Sequence, residues 1–131
     1  MSTHIHTPTQ PLPSPSSAPI PPAVAWLGYG GLLPFLALAA VGLWAPGTPW
    51  WSAALLAYGA VILSFVGALH WGFAMAQSGL SAPERTRCFV WSVVPSLMAW
   101  PATLLPAAAG AVLLVAGFAA HLVQDLSLIH I

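Results

Sequence analysis

The sequence predicts an all-α protein, a polytopic membrane bundle of four transmembrane helices. Only 3% of its 131 residues are charged, whereas a soluble domain carries about 25%. The mean hydropathy is +0.88, and the apolar residues fall into four runs separated by proline-containing turns or by one polar loop. Because so few charges cannot cover a surface that faces water, the bilayer is the predicted solvent.

The charge balance and the single cysteine exclude several classes of partner and site. The chain carries two basic and two acidic side chains, for a formal net charge of 0. Nucleic-acid binding needs a basic surface, so we expect no nucleic-acid partner. Cys88 has no disulfide partner and no second cysteine for a zinc or iron–sulfur site. We expect the lipid bilayer to be the main partner, with contacts to other membrane helices or to a second copy of the chain.

Residues 1–22 are predicted to form a disordered tail. They are rich in Pro, Ser and Thr and contain no charged side chain. The tail lacks the basic start of a signal peptide and the arginines of a mitochondrial transit peptide. His4 and His6 are interpreted as solvated, because a metal site needs more ligands than these two.

The first apolar run covers residues 23–44, which is long enough to cross a bilayer. Pro34 cannot donate a hydrogen bond to the carbonyl of Gly30, so a kink is predicted there. The freed carbonyl then needs a donor from a neighbouring helix or from water. The nearby Gly28 and Gly31 favour close helix packing, and a broken helix that lines a site is the alternative.

The second run covers residues 51–77 and is longer than a bilayer requires. Small residues recur in it at every fourth position, namely Ala60, Ser64, Ala68 and Gly72. Such a stripe allows another helix to approach closely. His70 lies beside this stripe in a run that contains no Asp, Glu, Lys or Arg.

The polar loop of residues 77–87 separates the second run from the third. Ser81 and Glu84 have the spacing of a capping box, which predicts a helix start near Ala82. Arg85 and Arg87 favour a cytoplasmic position for this loop, and therefore also for the N-terminus.

The third run covers residues 88–105 and the fourth covers residues 107–124. Pro95 and Pro101 interrupt the third run and free the carbonyls of Trp91 and Leu97, one of which the hydroxyl of Ser96 can satisfy. At the end of the fourth run, His121 and Asp125 are four residues apart and therefore share a helix face.

Residues 126–131 match the translation of an adapter used in sequencing libraries. We interpret these six residues as an artefact, and therefore expect the transmembrane domain to cover residues 23–125. On this interpretation, native segments after Asp125 have been lost by truncation.

Several of these segments resemble the DUF3429 family of small multi-span membrane proteins. The resemblance is carried by residues 27–35 (LGYGGLLPF), by residues 58–60 (YGA) and 64–72 (SFVGALHWG), and by Trp91 with residues 94–97 (VPSL) and Trp100. It covers about residues 26–125, and Asp125 matches an acidic residue of the family. It implies a bacterial inner-membrane or organellar location, of which we expect the bacterial inner membrane. It also implies a fifth helix after the fourth, and no established reaction.

Nine residues form the predicted functional or packing cluster: Pro34, Ser64, Gly67, His70, Trp71, Pro95, Ser96, His121 and Asp125. His70 is its centre, because an ionisable side chain is costly to place inside a membrane and is therefore a functional candidate. We expect no catalytic residue, no metal and no cofactor, since the sequence has no G-x-S-x-G elbow, no H-E-x-x-H pair and no paired carboxylates. Haem held by His70 and His121 is a weaker alternative.

Two interpretations of function remain open. The favoured one is a structural or assembly protein of the membrane, in which His70 makes an interhelical hydrogen bond to a freed carbonyl such as that of Gly30 or Trp91. The alternative is a small transporter-like protein or proton conduit, in which His121 and Asp125 relay protons from His70. For Asp125, a solvated position at the helix end is favoured over a relay role. An enzyme is disfavoured.

Overall fold

The computed structural model describes residues 21–129. Within this range every element is a helix, and the described residues contain no β-strand. The helices are α1 (Pro22–Gly30), α2 (Leu33–Trp44), α3 (Trp50–Ala76), α4 (Ala82–Ala102) and α5 (Ala107–Ile129). The predicted all-α class is thereby confirmed. The predictions for residues 1–20, including His4 and His6, and for His130 and Ile131 lie outside the described residues.

Three helical segments are long and apolar enough to cross a membrane. They are Pro22–Trp44, which combines α1 and α2, then Trp50–Ala76 and Ala107–Ser127. Helix α4 is not among them, because its first two turns carry Glu84, Arg85 and Arg87. The chain is therefore a membrane helical bundle with three candidate spans in its described part.

The first span is broken between α1 and α2, directly before Pro34. Pro34 lies in the first turn of α2, where its missing N–H costs no helical hydrogen bond. The hydroxyl of Tyr58 in α3 donates to the carbonyl of Gly31 at the break, at 2.7 Å. Phe35 adds an edge-to-face contact with the same tyrosine ring, at 4.9 Å between centroids. A donor from a neighbouring helix thus satisfies backbone at the break, as a lipid environment requires.

Helix α3 is the central helix of the bundle. It packs against α2, α4 and α5, and α4 also packs against α5. Glycines set how closely these helices approach, because a Cβ on Gly67 would come within 2.8 Å of the Pro95 side chain. Likewise, a Cβ on Gly117 would come within 2.6 Å of Leu63. Small residues therefore act as the packing surfaces of this bundle.

The apolar core lies toward the end of the bundle where α3 begins, α4 ends and α5 begins. Its buried members are Leu56, Ala60, Leu63, Ala99, Ala102 and Leu114. At the same end, the Cα of Gly110 in α5 sits directly against the carbonyl of Ala102 in α4. We call this region the apolar end; the opposite end, where α3 and α5 finish and α4 starts, is the polar end.

The turn between α3 and α4 is closed by Arg85. Its Nη1 donates to the carbonyl of Ala74 at 2.7 Å and its Nη2 to the carbonyl of Gln77 at 3.0 Å. The last carbonyls of a helix have no donor within the helix, so a guanidinium here supplies what α3 lacks. Arg85 thereby holds the start of α4 against the end of α3.

The first turn of α4 has the predicted capping box. The carboxylate of Glu84 accepts from the backbone N–H of Ser81 at 2.9 Å and from its hydroxyl at 2.6 Å. Glu84 precedes the apolar stretch that starts at Cys88, outside the membrane-spanning segments. The hydrogen bonds from Ser81, the side-chain one first, hold the pKa of Glu84 below its ordinary value of 4.5.

Candidate functional site

Three of the nine predicted residues meet at the polar end. The Nε2 of His70 in α3 lies 3.1 Å from Oδ1 of Asp125, and the Nε2 of His121 lies 3.5 Å from Oδ2 of the same carboxylate. The two imidazole rings are in edge-to-face contact, with centroids 4.9 Å apart. We call His70, His121 and Asp125 the His–Asp–His cluster; it joins two helices that are separated by the whole of α4 in the sequence.

The cluster has a closed side and an open side. Each imidazole side chain is only 8% exposed, whereas 43% of the Asp125 side chain is exposed. Asp125 lies near the end of α5, so its carboxylate forms the opening of the cluster toward the surface of the bundle. A small ion or a proton can therefore reach the buried histidines by way of Asp125.

Trp91 of α4 fixes the protonation pattern of His121. Its indole Nε1–H donates to Nδ1 of His121 at 3.3 Å. Because the indole nitrogen is a donor only, Nδ1 must be the unprotonated nitrogen, and neutral His121 carries its proton on Nε2. That proton points at Asp125, so the hydrogen-bond network assigns the tautomer of His121.

His70 is held at one nitrogen only. Its Nε2 faces Asp125, whereas its buried Nδ1 has no hydrogen-bond partner among the described residues. A buried polar atom without a partner costs about 1–3 kcal/mol, and such atoms often mark functional sites. The sequence predicts a backbone carbonyl as the partner of His70; the structure gives a carboxylate, which is a stronger acceptor.

The other predicted residues are structural or lie apart from the cluster. Gly67 and Pro95 are in direct contact where α3 crosses α4. Trp71 makes an edge-to-face contact with Phe89, with centroids 4.7 Å apart. Ser64 lies six residues before His70, about 9 Å along the helix. Pro34 and Ser96 likewise lie outside the cluster: Pro34 is at the α1–α2 break, and Ser96 is in α4 five residues beyond Trp91.

Trp91 is the site residue that sequence reasoning missed. The sequence identifies Trp91 only by its freed carbonyl and by its place in the family resemblance, near the start of an apolar run that begins at Cys88. Because α4 begins at Ala82, Trp91 lies about 14 Å inside the helix instead. The capping box of Ser81 and Glu84 was the signal that could have placed it at this depth.

The geometry of the cluster does not fit haem held between its two histidines. Two axial histidines bind haem iron from opposite faces of the macrocycle, whereas these rings touch edge to face at 4.9 Å. In contrast, one ligand atom from each of the three side chains lies within 4.8 Å of the others. This spacing fits a single ion or a hydrogen-bonded relay.

Comparison with known proteins agrees with the resemblance found in the sequence. Residues 20–130 match the family described as "Protein of unknown function (DUF3429)". The chain is also 36% identical over 115 residues to transmembrane protein 69 of Xenopus tropicalis, covering 83% of this chain and 44% of that protein. It therefore spans less than half the length of this curated relative. No solved structure matches. Since the family match includes all five helices, the chain belongs to the DUF3429 family.

Proposed function

We propose that the protein is a non-catalytic membrane protein with a structural role, a helical module that supports assembly within the membrane. One observation carries this proposal. Within the residues that the structure describes, the side-chain hydrogen bonds and ion pairs between residues distant in the sequence join different helices or helix ends. Tyr58 ties α3 to the α1–α2 break, and Arg85 ties α4 to the end of α3. Trp91 ties α4 to α5, and His70 ties α3 to α5. Polar side chains that join helices in this way hold membrane bundles together.

An apolar groove supports the same proposal. It has a volume of about 420 Å³ and opens between α2, α3 and α5. Its walls are apolar, with Phe35, Trp51, Leu56, Leu114 and Phe118 among them. A site that orients a polar substrate needs a few convergent polar groups, which these walls do not offer. The groove is therefore suited to hydrocarbon rather than to a reacting substrate.

In the proposed topology four helical segments cross the membrane. They are the three candidate spans and, as a fourth, α4. Its apolar stretch and the following turn, residues 88–105, fall within the range of about 17–25 residues that a span needs. The packing of α4 against both α3 and α5 supports this topology. Arg85 and Arg87 favour a cytoplasmic α3–α4 turn in the inner membrane of a bacterium. A topology reporter fused at Ser81 tests it; activity of a periplasm-only reporter there would reverse the orientation.

Replacing His70 by Ala tests the structural role. Loss of the tie to Asp125 should lower the free energy of unfolding by about 1 kcal/mol. The readouts are thermal unfolding in detergent, accumulation in the membrane, and proton flux in vesicles containing the purified protein. Leu69→Ala, at the adjacent lipid-exposed position, is the matched control and should leave all three unchanged. Normal accumulation with an altered flux in His70→Ala would contradict a structural role.

A proton relay is the second candidate, because the buried Nδ1 of His70 has no hydrogen-bond partner within residues 21–129. An imidazole can accept a proton at Nδ1 and release the proton of Nε2 to Asp125, which is open to the surface. The test is Asp125→Asn, which keeps the size of the side chain and one acceptor oxygen but removes the base. A relay predicts lost pH-dependent flux with stability retained, whereas a structural tie predicts no effect on flux. The core at the opposite end of the bundle consists of apolar side chains, which cannot carry a proton further. This favours the structural proposal over a relay.

A further inference from the structure

We propose that His70, His121 and Asp125 form a binding site for one divalent transition metal ion of the Zn²⁺ class. This goes beyond the structural role, which requires only that the three side chains hold α3 and α5 together. The first support is convergence: both imidazole Nε2 atoms face the same carboxylate, at 3.1 Å and 3.5 Å. A tetrahedral ion with bonds of about 2.0–2.1 Å separates neighbouring ligand atoms by about 3.3 Å. The two distances run to the two oxygens Oδ1 and Oδ2, and one ligand atom from each of the three side chains lies within 4.8 Å of the others. Binding of one ion would therefore draw the three ligand atoms closer together.

The donor set selects the class of ion. Two imidazole nitrogens and one carboxylate oxygen suit Zn²⁺ and the neighbouring first-row metals. Mg²⁺ and Ca²⁺ take oxygen ligands almost exclusively and would leave the two nitrogens unused. Three protein ligands leave one position of a tetrahedron open, and the exposed side of Asp125 provides both that position and an entry path.

The local charge also favours a cation. In the described region, the ion-pair partners of Asp125 are His70 and His121. When both histidines are neutral, they leave the negative charge of the carboxylate uncompensated. Arg85, one of the chain's two basic side chains, is held by the carbonyls at the end of α3. The carboxylate charge at the edge of the membrane therefore favours a cation between the three ligands.

Metal binding must compete with the hydrogen bond of Trp91. When Nε2 of His121 binds a metal, the single proton of the neutral ring moves to Nδ1, where it opposes the indole N–H. His70 has no such conflict, because its Nδ1 bonds to nothing in the described region. The Trp91 bond is long at 3.3 Å, compared with about 2.9–3.0 Å for a typical N–H donor, so it is a weak competitor. The site therefore predicts that removing the indole N–H strengthens metal binding.

The experiment titrates Zn²⁺ into the purified 131-residue chain after stripping with a chelator. His4, His6 and His130 are changed to Ala in all proteins, because these histidines outside the described residues can bind metal themselves. Competition with a chromophoric chelator gives the affinity, and Co²⁺ absorption reports the geometry of the ligands. We expect one ion per chain, about 100-fold weaker binding in His121→Ala and Asp125→Asn, and about 3-fold tighter binding in Trp91→Phe.

The outcomes separate the proposal from its rivals. Asp125→Asn keeps the size of the side chain and one acceptor oxygen, so its helical circular dichroism and elution volume should match the parent protein. The absence of stoichiometric binding, or binding that survives both His121→Ala and Asp125→Asn, would overturn the metal site. Weaker binding in Trp91→Phe would also overturn it, because the indole would then assist the metal. None of these results bears on the thermal stability that tests the structural role.

Discussion

The two ends of the bundle are held together by different means. At the apolar end, Leu63 is fully buried against Gly117, and Gly110 brings the backbones of α4 and α5 into contact. At the polar end, His70 and Trp91 reach across helices to hydrogen-bonding partners. Buried apolar side chains gain little from leaving lipid, which is itself apolar, so the apolar end depends on close fit. The polar end depends on satisfied hydrogen bonds, which have few alternative partners in lipid.

This difference implies different tolerances to substitution. Added volume should damage the apolar end, because backbone there cannot move aside without separating two helices. Loss of one hydrogen bond at the polar end should cost less, since interhelical hydrogen bonds in membranes average about 0.6 kcal/mol. The following changes test this comparison, in order of decreasing expected effect.

Gly110→Ala should have the largest effect on stability. The new Cβ would overlap the carbonyl oxygen of Ala102, a backbone atom that cannot rotate away. We expect a loss of about 2–3 kcal/mol in the free energy of unfolding, measured by thermal denaturation in detergent. Gly72→Ala is the matched control: its Cβ would meet nothing within 4 Å, so it should gain up to about 1 kcal/mol from helix propensity. Equal effects of the two variants would show that close fit does not hold the apolar end.

Leu63→Ala should come next. The fully buried side chain would leave a cavity beside Gly117, but the lost transfer term is small because the unfolded helices remain in apolar surroundings. We therefore expect a loss of about 1–2 kcal/mol, below the range for a water-soluble core. Leu97→Ala, at a lipid-exposed position of α4, serves as the reference and should change the unfolding temperature little. A loss as large as about 5 kcal/mol would indicate a hydrophobic driving force instead.

Trp91→Phe should have a smaller effect at the polar end. The ring is kept while the N–H that donates to His121 is removed, so the expected loss is about 0.6 kcal/mol in the unfolding free energy. Trp100→Phe, at an exposed position of the same helix, controls for the change of ring size. If Trp91→Phe cost more than Gly110→Ala, the polar end would be the main source of stability.

The capping box should give the smallest effect, and one that depends on pH. The pKa of Glu84 is lowered in the folded protein, so its stabilisation is fully present above the ordinary value of 4.5. It is lost as the pH falls through the lowered folded value, where the carboxylate becomes protonated. Ser81→Ala removes the bond of the Ser81 hydroxyl and should flatten this acid-side loss in unfolding temperature. An unchanged acid profile in Ser81→Ala would place the pH dependence elsewhere.

Much of the fold and part of the site could be predicted from the sequence. Because the connections between helices are short, the end of α3 and the end of α5 are expected at the same end of the bundle. His70 is therefore expected at a depth similar to that of His121 and Asp125. Sequence could not show that α3 and α5 turn these residues toward each other, because rotation about a helix axis is set by packing at Gly67 and Gly117. For the same reason, the sequence could not show that the indole N–H of Trp91 donates to His121.

The contacts of Arg85 have a consequence for how the protein sits in bilayers of different thickness. Helix α3 has 27 residues, about 40 Å of helix, against a hydrocarbon core of about 30 Å. A helix end normally needs water or headgroups to satisfy its last carbonyls, which fixes its depth. Because the guanidinium is bonded to the carbonyls of Ala74 and Gln77 and is itself costly to place in hydrocarbon, it holds this end of α3 at the membrane surface. The excess length of α3 is then accommodated by tilt, which differs between bilayers of different thickness.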